Sequence, residues 1–162
     1  MIDTAELLVP ERIRCNETVH SKKRALELAA TLLAEAIPRM SRVDVFNALN
    51  SRERLGSTGL GHGVALPHAR VDAADRAVGA CVTLAEPIDF DAPDRERVDI
   101  LFVLLVPSDC NDEHLQILAD LAAAFSDETV RERIRAETDP EAIPAHLAAG
   151  DPSDDRRAQG IA

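Results

Sequence analysis

The sequence predicts an α/β (α+β) domain, a mixed sheet of roughly five strands with helices on both faces. Three observations lead there. Two apolar runs, AVGACVTL at 77–84 and VDILFVLLV at 98–106, have the length and β-branched content of buried strands. Two longer segments, KKRALELAATLLAEAI and NDEHLQILADLAAAF, repeat apolar residues at helical spacing. Strand and helix signals also interleave along the chain instead of falling into separate blocks.

The elements follow in order. Between Glu6 and Cys15, Ile13 and Cys15 alternate with Arg12 and Arg14 before the polar NET, a short strand. Ser21 then precedes a helix whose apolar residues Leu26, Ala29, Ala30, Leu33 and Ile37 recur until Pro38 stops it. Ser41 and Asp44 make a capping box ahead of Val45, Leu49 and Leu55, so a second helix runs to Leu55 and ends at Gly56. The segment GSTGLGHG holds four of the seven glycines and reads as a special loop leading to Pro67-His68. The two apolar strands come next, with IDFD at 88–91 as an added edge strand between them. Pro107-Ser108-Asp109 breaks the second strand, and a third helix starts at Asn111, shows His114, Leu115, Leu118, Leu121 and Phe125 on one face and ends near Ser126. Two short helices cover Asp127–Ala136 and Pro140–Ala149, the latter capped by Asp139 and closed by Gly150. Residues 1–150 therefore form one domain, and 151–162 a disordered tail with little to bury.

Composition excludes several functions. The 162 residues carry 18 Lys and Arg against 29 Asp and Glu, a net charge of −11 that repels nucleic acid and anionic lipid. With no Trp, no Tyr and four Phe, the core is aliphatic and aromatic stacking platforms are absent. The amino terminus lacks a signal-peptide pattern, and no stretch approaches the about 18 apolar residues of a membrane helix. Three cysteines without a CxxC pair fit a reducing compartment, so the expected location is the cytoplasm, without membrane insertion.

Chemistry concentrates around the glycine segment. Gly56 to Gly61 spells G-x-x-x-x-G, but a Walker A loop next needs Lys and Ser/Thr, and His62 and Gly63 stand there. A dinucleotide fingerprint counted from Gly59 and Gly61 needs a small residue where Val64 stands. Glycine amides can still cradle an anion. His68 follows them, preceded by the hydroxyls of Ser57 and Thr58 and by the helix end Arg52-Glu53-Arg54, and these are the parts of an anion site. An imidazole's ordinary pKa of about 6.5 leaves a neutral nucleophile at cellular pH, and a phosphoryl group on it needs surrounding donors. The first turn of the Asn111 helix, with His114, adds positive helix-end potential. Each residue also has a bland reading: His68 as a structural histidine, His114 as a core histidine in line with Leu118, Arg52 and Arg54 as a solvated face, Ser57 and Thr58 as turn formers. A zinc site from His62, His68, Cys110 and His114 lacks a confirming tight ligand pair. His20 and His146 have no partner in sequence and read as surface residues.

The string RERLGSTGLGHGVALPH, Arg52 to His68, resembles the phosphorylation-site signature of the enzyme IIA proteins of the mannitol/fructose class of the phosphotransferase system. SKKRALELAA, RAVGACVTLAEPIDFDAPDRERVDILFVLLVP and EHLQILADLAAAF extend the resemblance to the stand-alone nitrogen-regulatory branch, over roughly residues 2–147. The resemblance implies a phosphotransferase of the phosphocarrier kind with no cofactor. His68 matches the phosphorylated histidine, charged by an HPr-like carrier protein, His114 the second site histidine and Arg52 the site arginine. Ser57, Thr58, Gly59 and Gly61 fall in the phosphate-facing loop, and His62 departs from an Asn common in the nitrogen branch. Downstream partners are regulatory targets such as potassium-transport or sensor-kinase proteins, or a IIB domain if the chain serves sugar uptake. A non-catalytic anion-binding module is the reading from a different class. Three arginines against one glutamate between Arg52 and Arg70 give this stretch a sign opposite to the whole chain.

Overall fold

The computed structural model describes residues 7–109 and 112–149, apart from the side chains of residues 113, 114 and 149. The tail at 151–162, Cys110 and the imidazole of His114 lie outside the described residues. After a 3₁₀ turn at Pro10–Arg12, the elements are β1 (Ile13–Glu17), α1 (Lys22–Ala34), α2 (Arg42–Arg54), β2 (Gly59–Gly61), β3 (Val64–Ala65), β4 (His68–Val71), β5 (Val78–Ile88), β6 (Val98–Pro107), α3 (Asp112–Phe125), α4 (Glu128–Ala136), a second 3₁₀ turn at Pro140–Ala142 and α5 (Ile143–Ala149).

The sheet has six strands in the order β1-β5-β6-β3-β2, with β4 also on β6. β5 and β6 run antiparallel through its centre, while β1 is parallel to β5, and β3 and β4 are parallel to β6. β6 is buried along almost its whole length, so its period-2 alternation feeds two cores instead of separating core from solvent. Leu101, Val103 and Leu105 join Ala25, Leu26, Ala29, Leu33, Val45 and Leu49 beneath α1 and α2. Ile100, Phe102, Leu104 and Val106 join Leu121, Phe125, Val130, Ile134 and Leu147 beneath α3, α4 and α5. Helices therefore cover both faces, as the sequence predicts.

The helix boundaries follow their caps. Ser21 accepts from the Arg24 amide at the start of α1, and the Ser41/Asp44 capping box closes in both directions at 3.1 Å. Asp127 caps α4, and Arg131 on that helix donates to the carbonyl of Phe125, the last residue of α3, at 2.9 Å.

Three expectations are corrected. The glycine segment is largely a β-hairpin: β2 and β3 pair antiparallel around His62 and Gly63, whose φ of 57° and 82° are those a two-residue type I′ hairpin turn requires. IDFD forms no separate edge strand; β5 continues through Glu86 and Pro87 to Ile88, which pairs with Val98, and Asp89–Asp91 lie outside any strand. The last helix begins as 3₁₀ at Pro140, with Asp139 accepting from the Glu141 amide, and becomes α-helical only at Ile143.

Candidate functional site

β3 and β4 share one edge of β6, and the two residues between them place His68. Val64 and Ala65 align with Ile100 and Leu101, and His68 to Val71 align with Leu104 to Pro107. Pro67, which has no N–H to offer, still accepts from Leu104 N–H at 2.9 Å and keeps the edge continuous. Along β4, Ala69 and Val71 enter the core beneath α1 and α2. Alternation sends half-buried His68 and exposed Arg70 to the other side, towards α3.

The His68 ring is anchored at one nitrogen. Nδ1 lies 2.8 Å from the carbonyl oxygen of Leu66. A carbonyl only accepts, so in the neutral ring Nδ1 carries the proton and Nε2 keeps a free lone pair.

Two shallow depressions meet at this ring. One, of about 450 Å³, is lined by Arg52, Leu55, Arg70, Leu115 and Leu118 among others, and one of about 380 Å³ by Ser57, Thr58, Gly59, Leu60 and Ala122. Arg52 and His68 border both, and among the described residues no carboxylate lines either. Arg52 reaches back to the Gly56 carbonyl at 3.0 Å, which holds its guanidinium at the C-terminal end of α2. A larger cavity, about 810 Å³, opens beside the hairpin tip, where four arginines mix with five carboxylates and offer an anion no uniform sign.

The structure thus brings His68, Arg52, Ser57, Thr58 and Gly59 together. Gly61 stands apart on the far side of the hairpin, where a Cβ would meet the Asp94 carboxylate at 3.2 Å. The donors of Ser57, Thr58 and Gly59, expected to cradle an anion, are committed to protein acceptors. Ser57 Oγ donates to the Phe90 carbonyl at 3.0 Å and accepts from Gly59 N–H at 3.1 Å, and both the hydroxyl and the amide of Thr58 donate to Glu53. These residues shape the depression, and among the described residues that line it the charged ones beside His68 are Arg52 and Arg70. Position 114 lies in the first turn of α3, one turn before Leu118 on the depression wall. His62 belongs to the hairpin tip and the larger cavity. Among the described residues no cluster of three His, Cys, Asp or Glu could hold a metal, and no helix is long and apolar enough to cross a membrane.

Sequence reasoning missed the burial of Glu53. Its signal was present, because Val45, Leu49 and Glu53 are spaced four apart and form the buried stripe of α2.

The family model described as phosphoenolpyruvate-dependent sugar phosphotransferase system, EIIA 2, matches residues 6–149. The chain belongs to this family. Among EIIA 2 relatives, it is 42% identical over 143 residues to the nitrogen regulatory protein of Pseudomonas aeruginosa, covering 88% of this chain and 93% of that one. It is 36% identical over 132 residues to the fructose-specific EIIA component of Haloferax volcanii, covering 82% and 86%. The crystal structure of the nitrogen regulatory protein IIA-Ntr from Neisseria meningitidis superposes with a TM-score of 0.84 at 43% identity, over 88% of this chain and 97% of that one. This EIIA 2 domain is therefore a homologue of the nitrogen regulatory proteins, with their mixed α/β fold.

Proposed function

We propose that this chain is a cytoplasmic phosphohistidine carrier of a nitrogen-type phosphotransferase system. It takes a phosphoryl group from an HPr-like protein on His68 and regulates partner proteins through its phosphorylation state. The observation that carries this reading is the Nδ1–H bond to the Leu66 carbonyl, which presents Nε2 as the nucleophile where two depressions meet whose described lining residues include Arg52 and no carboxylate.

The chemistry is balanced. The Nε2 lone pair attacks phosphorus, a new P–N bond forms as the donor imidazole's P–N bond breaks, and the donor nitrogen keeps its electron pair. One N–P bond replaces another, so the barrier is met mainly by in-line positioning and charge stabilisation. The Arg52 guanidinium steadies the phosphoryl oxygens, and the Leu66 carbonyl stabilises the ring's Nδ1–H as positive charge develops. His114, matched to the family's second histidine, hydrogen-bonds the phosphoryl group.

The surroundings favour a protein donor. Four large apolar side chains are exposed among the described residues, and three of them, Leu55, Leu60 and Leu115, line the depressions beside His68. Shallow walls with an apolar rim suit a docking partner that brings its own histidine. The runner-up reading, a sugar IIA component passing phosphoryl to a IIB domain, draws on the 36% identity to the fructose-specific relative.

The test incubates the protein with phosphoenolpyruvate, enzyme I and an HPr-type carrier and measures acid-labile phosphate. Label on wild type that is lost in His68→Ala is expected. No label, or label that survives His68→Ala, overturns the carrier reading. Rapid onward transfer to a sugar IIB domain would replace the regulatory reading with the sugar one.

A further inference from the structure

Glu53 is a carboxylate in an unfavourable place. Its side chain is only 3% exposed, and it stands in the last turn of α2, where the helix dipole disfavours negative charge. Both of its oxygens accept hydrogen bonds, three in all. Lys22 Nζ lies 2.8 Å from Oε2, Thr58 N–H donates to the same oxygen at 3.4 Å, and the Thr58 hydroxyl donates to Oε1. Lys22 is itself held over the Phe90 ring, 4.6 Å from its centroid, and donates to the Phe90 carbonyl, the acceptor that Ser57 also uses.

The bonds continue to the nucleophile. The Thr58 carbonyl accepts from Leu66 N–H at 3.0 Å, and the Leu66 carbonyl accepts from His68 Nδ1–H at 2.8 Å. Glu53 therefore fixes Thr58, Thr58 fixes Leu66, and Leu66 fixes the tautomer and direction of the ring. A buried ion pair contributes little net stability compared with apolar side chains of the same size, so stability alone gives no reason to bury charge here. Its connection to His68 does.

We infer that Glu53 is a positioning residue for phosphoryl transfer, acting through Thr58 and Leu66 to hold His68 with Nδ1 protonated and Nε2 aimed outward. The inference rests on the carrier reading above. Without the carboxylate, Thr58 loses its anchor, the Leu66 carbonyl shifts and the ring divides between tautomers. The loss then falls on the chemical step and spares carrier binding.

The test pairs a spectrum with kinetics. ¹⁵N imidazole spectra of the unphosphorylated protein, at a pH where the ring is neutral, are compared for wild type, Glu53→Gln, Thr58→Val and Thr58→Ser, alongside transfer from an HPr-type carrier. We expect the Nδ1–H tautomer in wild type, a mixture in Glu53→Gln and Thr58→Val, an about tenfold slower saturated transfer with unchanged carrier KM in both, and recovery in Thr58→Ser. Thr58→Val keeps the ion pair and the side-chain shape, so it decides the matter even if Glu53→Gln fails to fold. A wild-type tautomer and rate in folded Thr58→Val overturn the inference, as does a raised KM with the saturated rate intact. If wild type accepts no phosphoryl group, the carrier reading falls instead, and the spectrum, which needs no donor, still reports whether this chain of bonds sets the tautomer.

Discussion

Arg135 on α4 grips Asp99 on β6, its Nε 2.9 and 3.0 Å from the two carboxylate oxygens, and extends Nη2 to the His62 carbonyl at the tip of the β2–β3 hairpin. One side chain thus ties the hairpin to both the central strand and the helical layer. Gly63 makes room for it. A Cβ there would collide with the Arg135 guanidinium and lie 2.9 Å from Asp99 Oδ1, at a φ of 82° that side chains resist. Gly63→Ala is expected to destabilise the protein by about 2 kcal/mol in urea unfolding, from backbone strain plus loss of a half-buried pair. An unchanged midpoint would mean the hairpin tip moves away without cost.

His62 occupies the first central position of the same turn at a φ of 57°. Asn adopts that conformation more readily because its short amide bonds locally. His62→Asn is expected to stabilise the protein by about 0.5 kcal/mol, a rise in Tm of about 1 to 2 °C, and to leave phosphoryl transfer unchanged. The imidazole lines the larger cavity and takes no part in the depressions beside His68.

These two residues also show where the sequence is readable. Ser21, Ser41 with Asp44, and Asp127 announce helix starts because a cap is a local bond between residues two or three apart. β6 announces itself by an apolar run that only a doubly covered strand tolerates. β2 and β3 do not, since strands of three and two residues are too short to show a period and exist through pairing with each other and with distant Ile100 and Leu101. The site follows the same division. His68 stands out by its local context of glycines and proline, whereas the burial of Glu53 depends on its counter-ion Lys22, 31 positions earlier, and on a fold that sets the start of α1 against the end of α2.

Arg52 tests how much of the site is charge and how much is geometry. Its Nη1 bond to the Gly56 carbonyl orients a planar fork beside His68. Arg52→Lys keeps the charge but cannot hold that carbonyl and a phosphoryl oxygen in one plane. Saturated transfer from the HPr-type carrier should fall about tenfold without loss of thermal stability. Wild-type rates in the lysine variant would reduce Arg52 to a source of field alone.

Cys81 lies fully buried on β5, and burial, with a smaller contribution from Cys15, pushes its thiol up to about 12. Burial, then the nearby Glu137 charge, also raises the half-buried Cys15 thiol. Only the thiolate attacks disulfide reagents, so Cys81 should be labelled no faster than the protein unfolds globally. Mass spectrometry of the labelled sites against urea concentration reads this directly. Modification of Cys81 under native conditions ahead of unfolding would reveal a local opening of the β1–β5 pair.

His146, which reads as an unpartnered surface residue in the sequence, instead donates from Nε2 to Glu137 Oε1 at 2.7 Å, linking α5 to the residue after α4. That bond, followed by the backbone N–H groups of Asp139 and Thr138, holds the Glu137 carboxyl below the ordinary glutamate value of 4.5. A carboxyl with a depressed folded-state pKa binds protons more readily when unfolded. Its contribution is therefore complete above the unfolded value and disappears as pH falls through the folded one. His146→Gln should lower the urea midpoint at neutral pH, and the gap from wild type should narrow steadily below about pH 4.5 as both proteins lose the ionised carboxylate. A gap that stays constant into acid would place the effect of His146 in packing against α5, with the carboxylate a bystander.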